Sequence, residues 1–470
     1  MRRSPSPLCW LPVKEEYLPL TQTDVLSARP SFAEKLGIPR PLLWGFVGLL
    51  LFMVGDGVEA GYLAPYLENH GMSSRDVAFL FTVYGVAVSL SSWLSGPLSD
   101  LWGPKRVMWI GLAIWSVFEV VFLLLGVQVN SYRMMLIAYT LRGLGYPLFA
   151  YGFLVWIAAA TPPRQLGSAA GWFWFAFSGG LPTLGSLFAS FTIPVIGEMA
   201  TFWSSLGLVV AGGLVALLLT HEKRGSARLA PRDVSVRGIF FGSISILWRE
   251  PKTFVAMVVR TIDTASEYAF LVIMPSFFTK VVGFTLSQWL QLLSIVFLSN
   301  ILFNLASGML ADRLGPPHRG FHRGLPLGAA VSVPVFYYRL PLWPITATFF
   351  AGPPLAGIFY GGEPCGLSCR CRGLVPQICP PEKAAALSAL GLGAGASTWV
   401  GPAIVTWFES WHGLEGIIWI FSGLYAFAGL LTLYLSIPEH ARDYARKAAA
   451  KAKAQRAHGQ DIYEGRPALH

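Results

Sequence analysis

The chain has 470 residues, of which 54% are hydrophobic and only 13% are charged. Soluble globular proteins carry about 25% charged residues, so the composition excludes an ordinary soluble domain and indicates a membrane protein. The formal net charge of +10 does not indicate nucleic-acid binding, because the basic residues are spread over the tails and the loops between apolar runs. We therefore expect a lipid bilayer, and no nucleic acid, as partner.

A membrane-spanning helix needs about 20 apolar residues, and runs of this kind recur along the whole chain. In the first half of the sequence they cover residues 42–68, 77–98, 107–127, 133–158, 168–193 and 199–220. In the second half they cover residues 253–279, 286–310, 324–340, 342–362, 384–408 and 414–437, of which the third and fourth are the least regular. The sequence predicts an all-α membrane protein with twelve transmembrane helices.

Charge divides these spans into two halves and orients them. A basic stretch at 221–252 separates six-helix halves at 42–220 and 253–437, and polar tails occupy 1–41 and 438–470. Lysine and arginine concentrate in the tails and the central stretch, which the positive-inside rule places in the cytoplasm. No cleavable signal peptide is expected. We predict a multi-pass protein of the bacterial inner membrane with both termini cytoplasmic.

A loop motif occurs once in each half. The two copies comprise Gly96, Asp100, Gly103, Lys105 and Arg106 after the second span, and Gly308, Asp312 and Gly315 after the eighth. Two parallel copies of motif and topology indicate the major facilitator architecture. We expect Gly96 to allow close helix approach, and Asp100 to cap a helix or to pair with Lys105 or Arg106. Such pairs would change between conformations.

Ionisable side chains inside the spans are the main functional candidates, because a charge within the bilayer is costly. They are Asp56 and Glu59 in the first span, Glu119 in the third, Arg142 in the fourth, and Arg260, Asp263 and Glu267 in the seventh. Asp56 and Glu59, three residues apart, are expected on nearly the same helix face. Either one of them exchanges a proton beside Arg142, or both form static pairs or bind substrate hydroxyls. Arg260 and Asp263 favour a structural pair, and Glu119 has no evident partner.

Neutral polar and aromatic side chains in the spans have the chemistry of a carbohydrate-like site. Aromatic faces can pack on CH groups, while amides and hydroxyls bind substrate hydroxyls. Packing, interfacial anchoring and helix–helix hydrogen bonds are the alternative roles. The candidates are Tyr84, Tyr146, Tyr151, Trp172, Trp174, Gln288, Asn300 and Asn304.

Several segments resemble one known family. They include Phe52-Met53-Val54-Gly55-Asp56-Gly57-Val58-Glu59, Arg142-Gly143-Leu144-Gly145-Tyr146-Pro147, Gly171-Trp172-Phe173-Trp174 and Val272-Ile273-Met274-Pro275. They are similar to the polyol permease family, from about residue 42 to 312 and again from 380 to 437. The resemblance implies proton-coupled import of a pentitol-like polyol bound between the two halves. It also implies functional roles for Asp56, Glu59, Arg142 and Tyr146, which match the family's residue types.

The region 318–379 departs from this pattern. Both the apolar periodicity and the resemblance are lost there and then recovered, and we interpret this as short compensated frameshifts around 318–330 and 359–373. Cys365, Cys369 and Cys371 crowd one loop of this region. Their spacing does not fit paired metal ligands, so no metal site is expected.

The sequence therefore predicts secondary active uptake of a small polyhydroxy substrate with a proton, by a monomer that needs no cofactor. A phosphate-binding glycine-rich loop is absent from the sequence, so ATP-driven transport is not expected. An alternative of the same fold is an organic-acid or sugar-acid carrier in which Arg142 and Arg260 bind a carboxylate. An integral-membrane enzyme is less favoured, because the sequence holds no clustered catalytic set at one membrane face.

Overall fold

A computed structural model describes residues 38–161, 166–229, 245, 247–314 and 383–434. Within these ranges the chain forms helices and loops without strands, which confirms the predicted all-α architecture. Eight continuous helical segments among the described residues are long and apolar enough to cross a membrane, and some of them combine two of the helices named below. The predicted ninth and tenth spans, nearly all of the two tails, the cysteine-rich loop and Gly315 lie outside the described residues.

The described residues of the first half form nine α-helices. They are α1 (Leu43–Gly57), α2 (Leu63–Asn69), α3 (Ser74–Trp102), α4 (Pro104–Val121), α5 (Tyr132–Arg142), α6 (Gly145–Ala160), α7 (Leu166–Ser178), α8 (Gly185–Ile196) and α9 (Glu198–Leu219). The described part of the second half contains α10 (Pro251–Ser276), α11 (Leu286–Leu314) and α12 (Lys383–Tyr434). Wider π-helical turns extend α4 over Phe122–Val127 and α10 over Phe277–Val282, and another at Gly179–Leu184 joins α7 to α8.

Four predicted spans are divided or joined differently in the observed helices. The first was predicted to run to residue 68, but α1 ends at Gly57 and a turn precedes the short helix α2. The fourth is interrupted at Gly143 and Leu144, between α5 and α6. The eleventh and twelfth spans meet within α12 at Gly413, whose φ of 62° lies in the left-handed region that glycine adopts without a Cβ penalty.

Local sequence signals set the ends of α3. Ser73 caps its first turn, because the Ser73 hydroxyl accepts a hydrogen bond from the Asp76 backbone N–H at 3.1 Å. At the other end, Gly103 has a φ of 87° and Pro104 starts α4 directly afterwards. Proline suits the first helical position, where its missing N–H is not needed. The result is a tight corner between α3 and α4.

The two halves contact each other mainly through α3 against α12 and α8 against α11, and α10 also contacts α2 and α3. We name the face that holds residues 58–73 the outer face and the face that holds residues 220–229 the inner face. The Trp289 indole N–H donates to the Gly61 carbonyl at 2.9 Å, and the Ser287 hydroxyl donates to the Ser190 carbonyl at 3.2 Å. Both of these inter-half bonds lie toward the outer face.

Close packing of α1 on α9 gives a first prediction. A Cβ added at Gly48 would lie 2.4 Å from the backbone nitrogen of Ala216. We expect Gly48→Ala to destabilise the protein by about 1–3 kcal/mol, because backbone atoms cannot yield as a flexible side chain would. Thermal unfolding of the purified protein in detergent measures this loss.

Gly207→Ala is the matched control for Gly48→Ala. Gly207 lies on α9, and no described atom comes within 4 Å of the place where its Cβ would stand. The unfolding temperature of Gly207→Ala should equal that of the parent protein or be slightly higher, because alanine favours a helix more than glycine does. Equal unfolding temperatures for the two variants would show that the α1–α9 contact is looser than described.

Candidate functional site

Four charged side chains meet inside the first half, away from solvent. We call Asp56, Glu59, Glu119 and Arg142 the central charge cluster. Their relative exposures are 5%, 1%, 0% and 1%, respectively. The Arg142 guanidinium forms ion pairs with both Glu59 and Glu119. Asp56 has a different partner from the two glutamates, since its Oδ1 accepts a hydrogen bond from the Trp115 indole N–H at 2.6 Å.

The path of the backbone brings these groups together. Arg142 is the last residue of α5, and the helix restarts at Gly145 after a turn. A Cβ at Gly145 would lie 2.6 Å from the Cβ of Trp115, so only glycine lets α6 approach α4 this closely. The Leu144 carbonyl within the turn accepts a hydrogen bond from the Ser91 hydroxyl at 2.6 Å. The interruption is therefore packed and hydrogen-bonded.

Aromatic rings surround the guanidinium on its remaining sides. The Arg142 Cζ lies 4.5 Å from the ring centroid of Tyr139, 4.9 Å from that of Trp115 and 5.7 Å from that of Tyr84. A cation over an aromatic face is attracted by the ring quadrupole, by about 2 kcal/mol or more when desolvated. Arg142 is thus enclosed by two carboxylates and by aromatic rings.

The cluster has more acid than base. With all its groups ionised, three carboxylates face one guanidinium, which leaves two negative charges in excess (3 − 1 = 2). An uncompensated buried charge is costly in a low-dielectric interior. Proton uptake by a carboxylate removes part of that excess, whereas arginine stays charged throughout. The arrangement can therefore hold and release protons without disturbing the arginine.

A group of tyrosines connects Asp56 to the second half. Tyr146 lies within electrostatic range of Asp56, Tyr151 and Tyr268, and Tyr268 in turn interacts with Tyr151 and Asp56. Tyr146 and Tyr151 lie on α6 of the first half, whereas Tyr268 lies on α10 of the second. Sequence reasoning did not single out Tyr268, because a tyrosine in an apolar span carries no distinguishing spacing. These tyrosines therefore lie near the boundary between the two halves.

The α10 charges lie on the second-half side of this region. Arg260 Nη1 lies 3.1 Å from Asp263 Oδ2, and the two side chains are 12% and 1% exposed. The Tyr425 hydroxyl donates to the Asp263 backbone carbonyl at 3.1 Å, which ties α10 to α12. Glu267 is half-buried on the same helix. Arg260 is thus more accessible than Arg142, but it already faces an acid.

The other lining candidates are scattered. Trp172 and Trp174 are half-buried on α7, and the Trp174 ring centroid lies 5.6 Å from that of Phe177. Gln288 instead caps α11, because its Oε1 accepts a hydrogen bond from the Thr285 backbone N–H at 2.9 Å. The side chains of Asn300 and Asn304 on α11 lie outside the described part of the structure. The cap gives Gln288 a structural role at the outer face.

The first copy of the loop motif contacts the start of the central loop. The Asp100 backbone carbonyl accepts a hydrogen bond from the Leu229 N–H at 3.0 Å, and Lys105 Nζ lies 3.4 Å from the Thr220 carbonyl. Asp100 makes no ion pair with Lys105, with the exposed Arg106 or with any other described residue, which differs from the expected pairing. The motif here contacts the start of the central loop through the Asp100 backbone and the Lys105 side chain.

The two motif glycines differ in their surroundings. A Cβ at Gly103 would lie 3.0 Å from the Ala227 carbonyl oxygen, whereas no described atom lies within 4 Å of a Cβ at Gly96. The helix approach expected at Gly96 is therefore not seen among the described residues. In the second copy of the motif, Gly308 and Asp312 fall within α11, and their side chains lie outside the described part.

Comparisons with known proteins agree on one family. A sequence model of the Major Facilitator Superfamily matches residues 45–368. The alpha-ketoglutarate permease of Bacillus subtilis is 36% identical over 420 residues, 89% of this chain and 95% of that protein. The D-arabinitol transporter of Klebsiella pneumoniae is 33% identical over 86% of this chain and 94% of its own length. The ribitol transporter of the same organism is 33% identical over 88% of this chain and 97% of its own length. The resemblance found in the sequence is thereby confirmed.

A solved structure supports the same architecture. A bacterial homolog of the human lysosomal transporter Spinster, in an inward-facing and unoccupied conformation, superposes with a TM-score of 0.63. The superposition covers 83% of this chain and 95% of that one, at 14% sequence identity. At this identity the likeness shows the fold alone.

The charge balance of the cluster predicts unequal effects of two neutral substitutions. Arg142→Gln leaves three buried carboxylates without a cation, and we expect a loss of about 3–5 kcal/mol of stability. Glu119→Gln removes one of the excess negative charges and keeps a hydrogen-bonding group beside Arg142, so the loss should be much smaller. Thermal unfolding of the two purified variants in detergent decides this. Equal losses would mean that excess negative charge is not what strains the cluster.

Proposed function

The chain belongs to the major facilitator superfamily, and we propose that it is a transporter that imports a sugar alcohol of the pentitol class by proton symport. Its relatives and its fold are those of membrane transporters, not enzymes. The observation that carries the proposal is the buried central charge cluster, with three carboxylates around one arginine. Proton exchange there would couple import to the transmembrane proton gradient, which requires no nucleotide.

Asp56 is our candidate for the carboxylate that exchanges the proton. Glu59 and Glu119 both pair directly with Arg142, whereas the described contact of Asp56 is with Trp115. Asp56 also has the highest exposure in the cluster, at 5%. Neutralising Asp56 breaks no ion pair with Arg142, so this group can change its charge at the lowest structural cost. Glu59 and Glu119 then keep the arginine balanced.

The tyrosines around Asp56 suit a polyhydroxy substrate. A phenol both donates and accepts hydrogen bonds, and its ring offers an apolar face to CH groups. Tyr84, Tyr146 and Tyr268 lie within electrostatic range of Asp56. Tyr151 lies within range of Tyr146 and of Tyr268, which belongs to the second half. When Asp56 is ionised it accepts hydrogen bonds only, and when protonated it can also donate one. Substrate binding and proton binding would therefore be linked at one site.

A carboxylate substrate is the second candidate, because one relative is named an alpha-ketoglutarate permease. Arginine is the residue best suited to bind a carboxylate. Arg142 is 1% exposed and already pairs with two acids, so the role would fall to Arg260, which is 12% exposed. Asp263 neutralises Arg260 at 3.1 Å. Both arginines thus face acids, which favours a neutral substrate.

We further propose that the chain works as a monomer in a bacterial inner membrane, with both termini and the central loop in the cytoplasm. The excess of basic residues in those segments supports this orientation. The inner face defined above would then be cytoplasmic, and the outer face would meet the periplasm.

Uptake measurements test the substrate class. Cells that express the chain should accumulate labelled ribitol or D-arabinitol, and a protonophore should abolish the accumulation. Labelled alpha-ketoglutarate is the comparison substrate, and cells with an empty vector are the control. Uptake of alpha-ketoglutarate without any pentitol uptake would overturn the polyol proposal in favour of the carboxylate. Pentitol uptake that survives the protonophore would overturn proton symport.

Asp56→Asn tests the coupling residue. The amide cannot exchange a proton, so net accumulation should fall at least tenfold, while exchange of labelled for unlabelled substrate across vesicles should persist. Asp76→Asn is the control, since Asp76 is exposed at the outer face and outside the cluster. If Asp56→Asn still accumulates substrate against a gradient, the exchanging carboxylate is another member of the cluster.

A further inference from the structure

A charged contact joins the two halves at the outer face. Glu68 lies on α2 of the first half, and Lys280 lies in the π-helical turn that extends α10 of the second half. Lys280 Nζ is 2.6 Å from Glu68 Oε2. The Ser276 hydroxyl, also on α10, donates to the same oxygen at 2.6 Å. The Ser74 hydroxyl of the first half donates to Glu68 Oε1 at 3.0 Å.

The surroundings of this contact distinguish it from an ordinary surface ion pair. Exposed ion pairs contribute little to stability, because water screens the charges and the long side chains lose conformational entropy when they pair. Here the Glu68 side chain is only 6% exposed, although Lys280 is 57% exposed. A largely buried carboxylate that accepts three hydrogen bonds is fixed in position, and its bonds are charge-assisted. Separation of the halves would break the bonds from Lys280 and Ser276 together.

A second carboxylate lies beside this pair. Glu409 is on α12 of the second half, and it is close enough to Glu68 to interact electrostatically. Its Oε2 is buried and has no hydrogen-bond partner among the described residues. Two nearby acids repel each other, and the Lys280 charge offsets that repulsion where the halves meet. Loss of the lysine would therefore push the halves apart as well as release them.

We infer that Glu68 and Lys280 form a latch that holds the two halves together at the outer face and must separate when the substrate region opens there. Among the ion pairs between described residues, this one joins the halves, and the others each lie within one half. Other hydrogen bonds between the halves are uncharged, and they include those from Trp289 to Gly61, from Ser287 to Ser190 and between the hydroxyls of Thr82 and Thr406. The inference concerns the conformational cycle and does not depend on which solute the chain carries.

A reporter cysteine at Ser190 measures opening of the outer face. Ser190 is 2% exposed, and its carbonyl is bonded by Ser287 across the boundary between the halves. The five native cysteines are replaced by serine, and Ser190→Cys is introduced. The purified protein in detergent is then labelled with a water-soluble maleimide. Neither a substrate nor a membrane orientation is needed for the measurement.

Removal of either partner should accelerate labelling. We expect about a tenfold higher rate for Glu68→Gln, which corresponds to about 1.4 kcal/mol in the opening equilibrium. Lys280→Gln should be faster still, because Glu68 and Glu409 then repel each other without an intervening cation. Arg75→Gln is the control, since Arg75 is an exposed cation of the outer face that makes no ion pair with a described residue. Its labelling rate should not change.

The double variant Glu68→Gln/Lys280→Gln decides whether the two residues act as a pair. Its labelling should be no faster than that of Lys280→Gln, because one interaction can be lost only once. Unchanged rates in both single variants, or a double-variant rate equal to the product of the single effects, would overturn the latch. If Glu68→Gln does not fold, Ser276→Ala removes one bond to the same oxygen. A rate for Ser276→Ala equal to that of the parent would likewise overturn it.

Discussion

Burial of the Arg142 guanidinium is the constraint on which the first half depends. An arginine stays charged at any physiological pH, so a guanidinium that is 1% exposed must find its anions inside the bundle. Glu59 comes from the turn after α1, and Glu119 comes from α4. The ion pairs therefore join three segments that are distant in sequence. Loss of either anion would leave a buried cation with one fewer partner, which is why the cluster must fold as a unit.

The backbone of the first half is shaped around that requirement. α1 stops at Gly57, so the turn after it presents Glu59 to the arginine, and the Glu59 carbonyl accepts a hydrogen bond from the Leu63 N–H at 2.9 Å. α5 stops at Arg142 itself, and Gly145 lets α6 pack directly on Trp115. Two apolar spans are thus interrupted at the depth where charges must be accommodated. Backbone hydrogen bonds continue through both interruptions, for example from the Tyr62 N–H to the Glu59 carbonyl and from the Leu144 N–H to the Leu141 carbonyl, as the interior of a membrane protein favours.

Much of this fold follows from the sequence, because apolar length and loop charge reflect the bilayer directly. The site follows only partly. Asp56, Glu59 and Arg142 stand out as charges in apolar spans, but spacing reveals partners only within one helix. Glu119 had no evident partner because its partner lies on another helix, and Tyr268 carries no mark in an apolar run. The cap that Gln288 forms on α11 could have been recognised, because Thr285-x-x-Gln288 is a helix-start pattern.

The segment between α1 and α3 connects the two ionic systems of the molecule. Glu59 at its start pairs with Arg142 inside the first half, and Glu68 near its end pairs with Lys280 of the second. Between them, the Gly61 carbonyl accepts the bond from Trp289. A change of charge in the central cluster and a separation of the halves at the outer face therefore act on the same short stretch of chain. Under the proposed proton symport, coupling between the proton-exchanging carboxylate and access of the substrate would pass through these ten residues of backbone, which have a charged contact at each end.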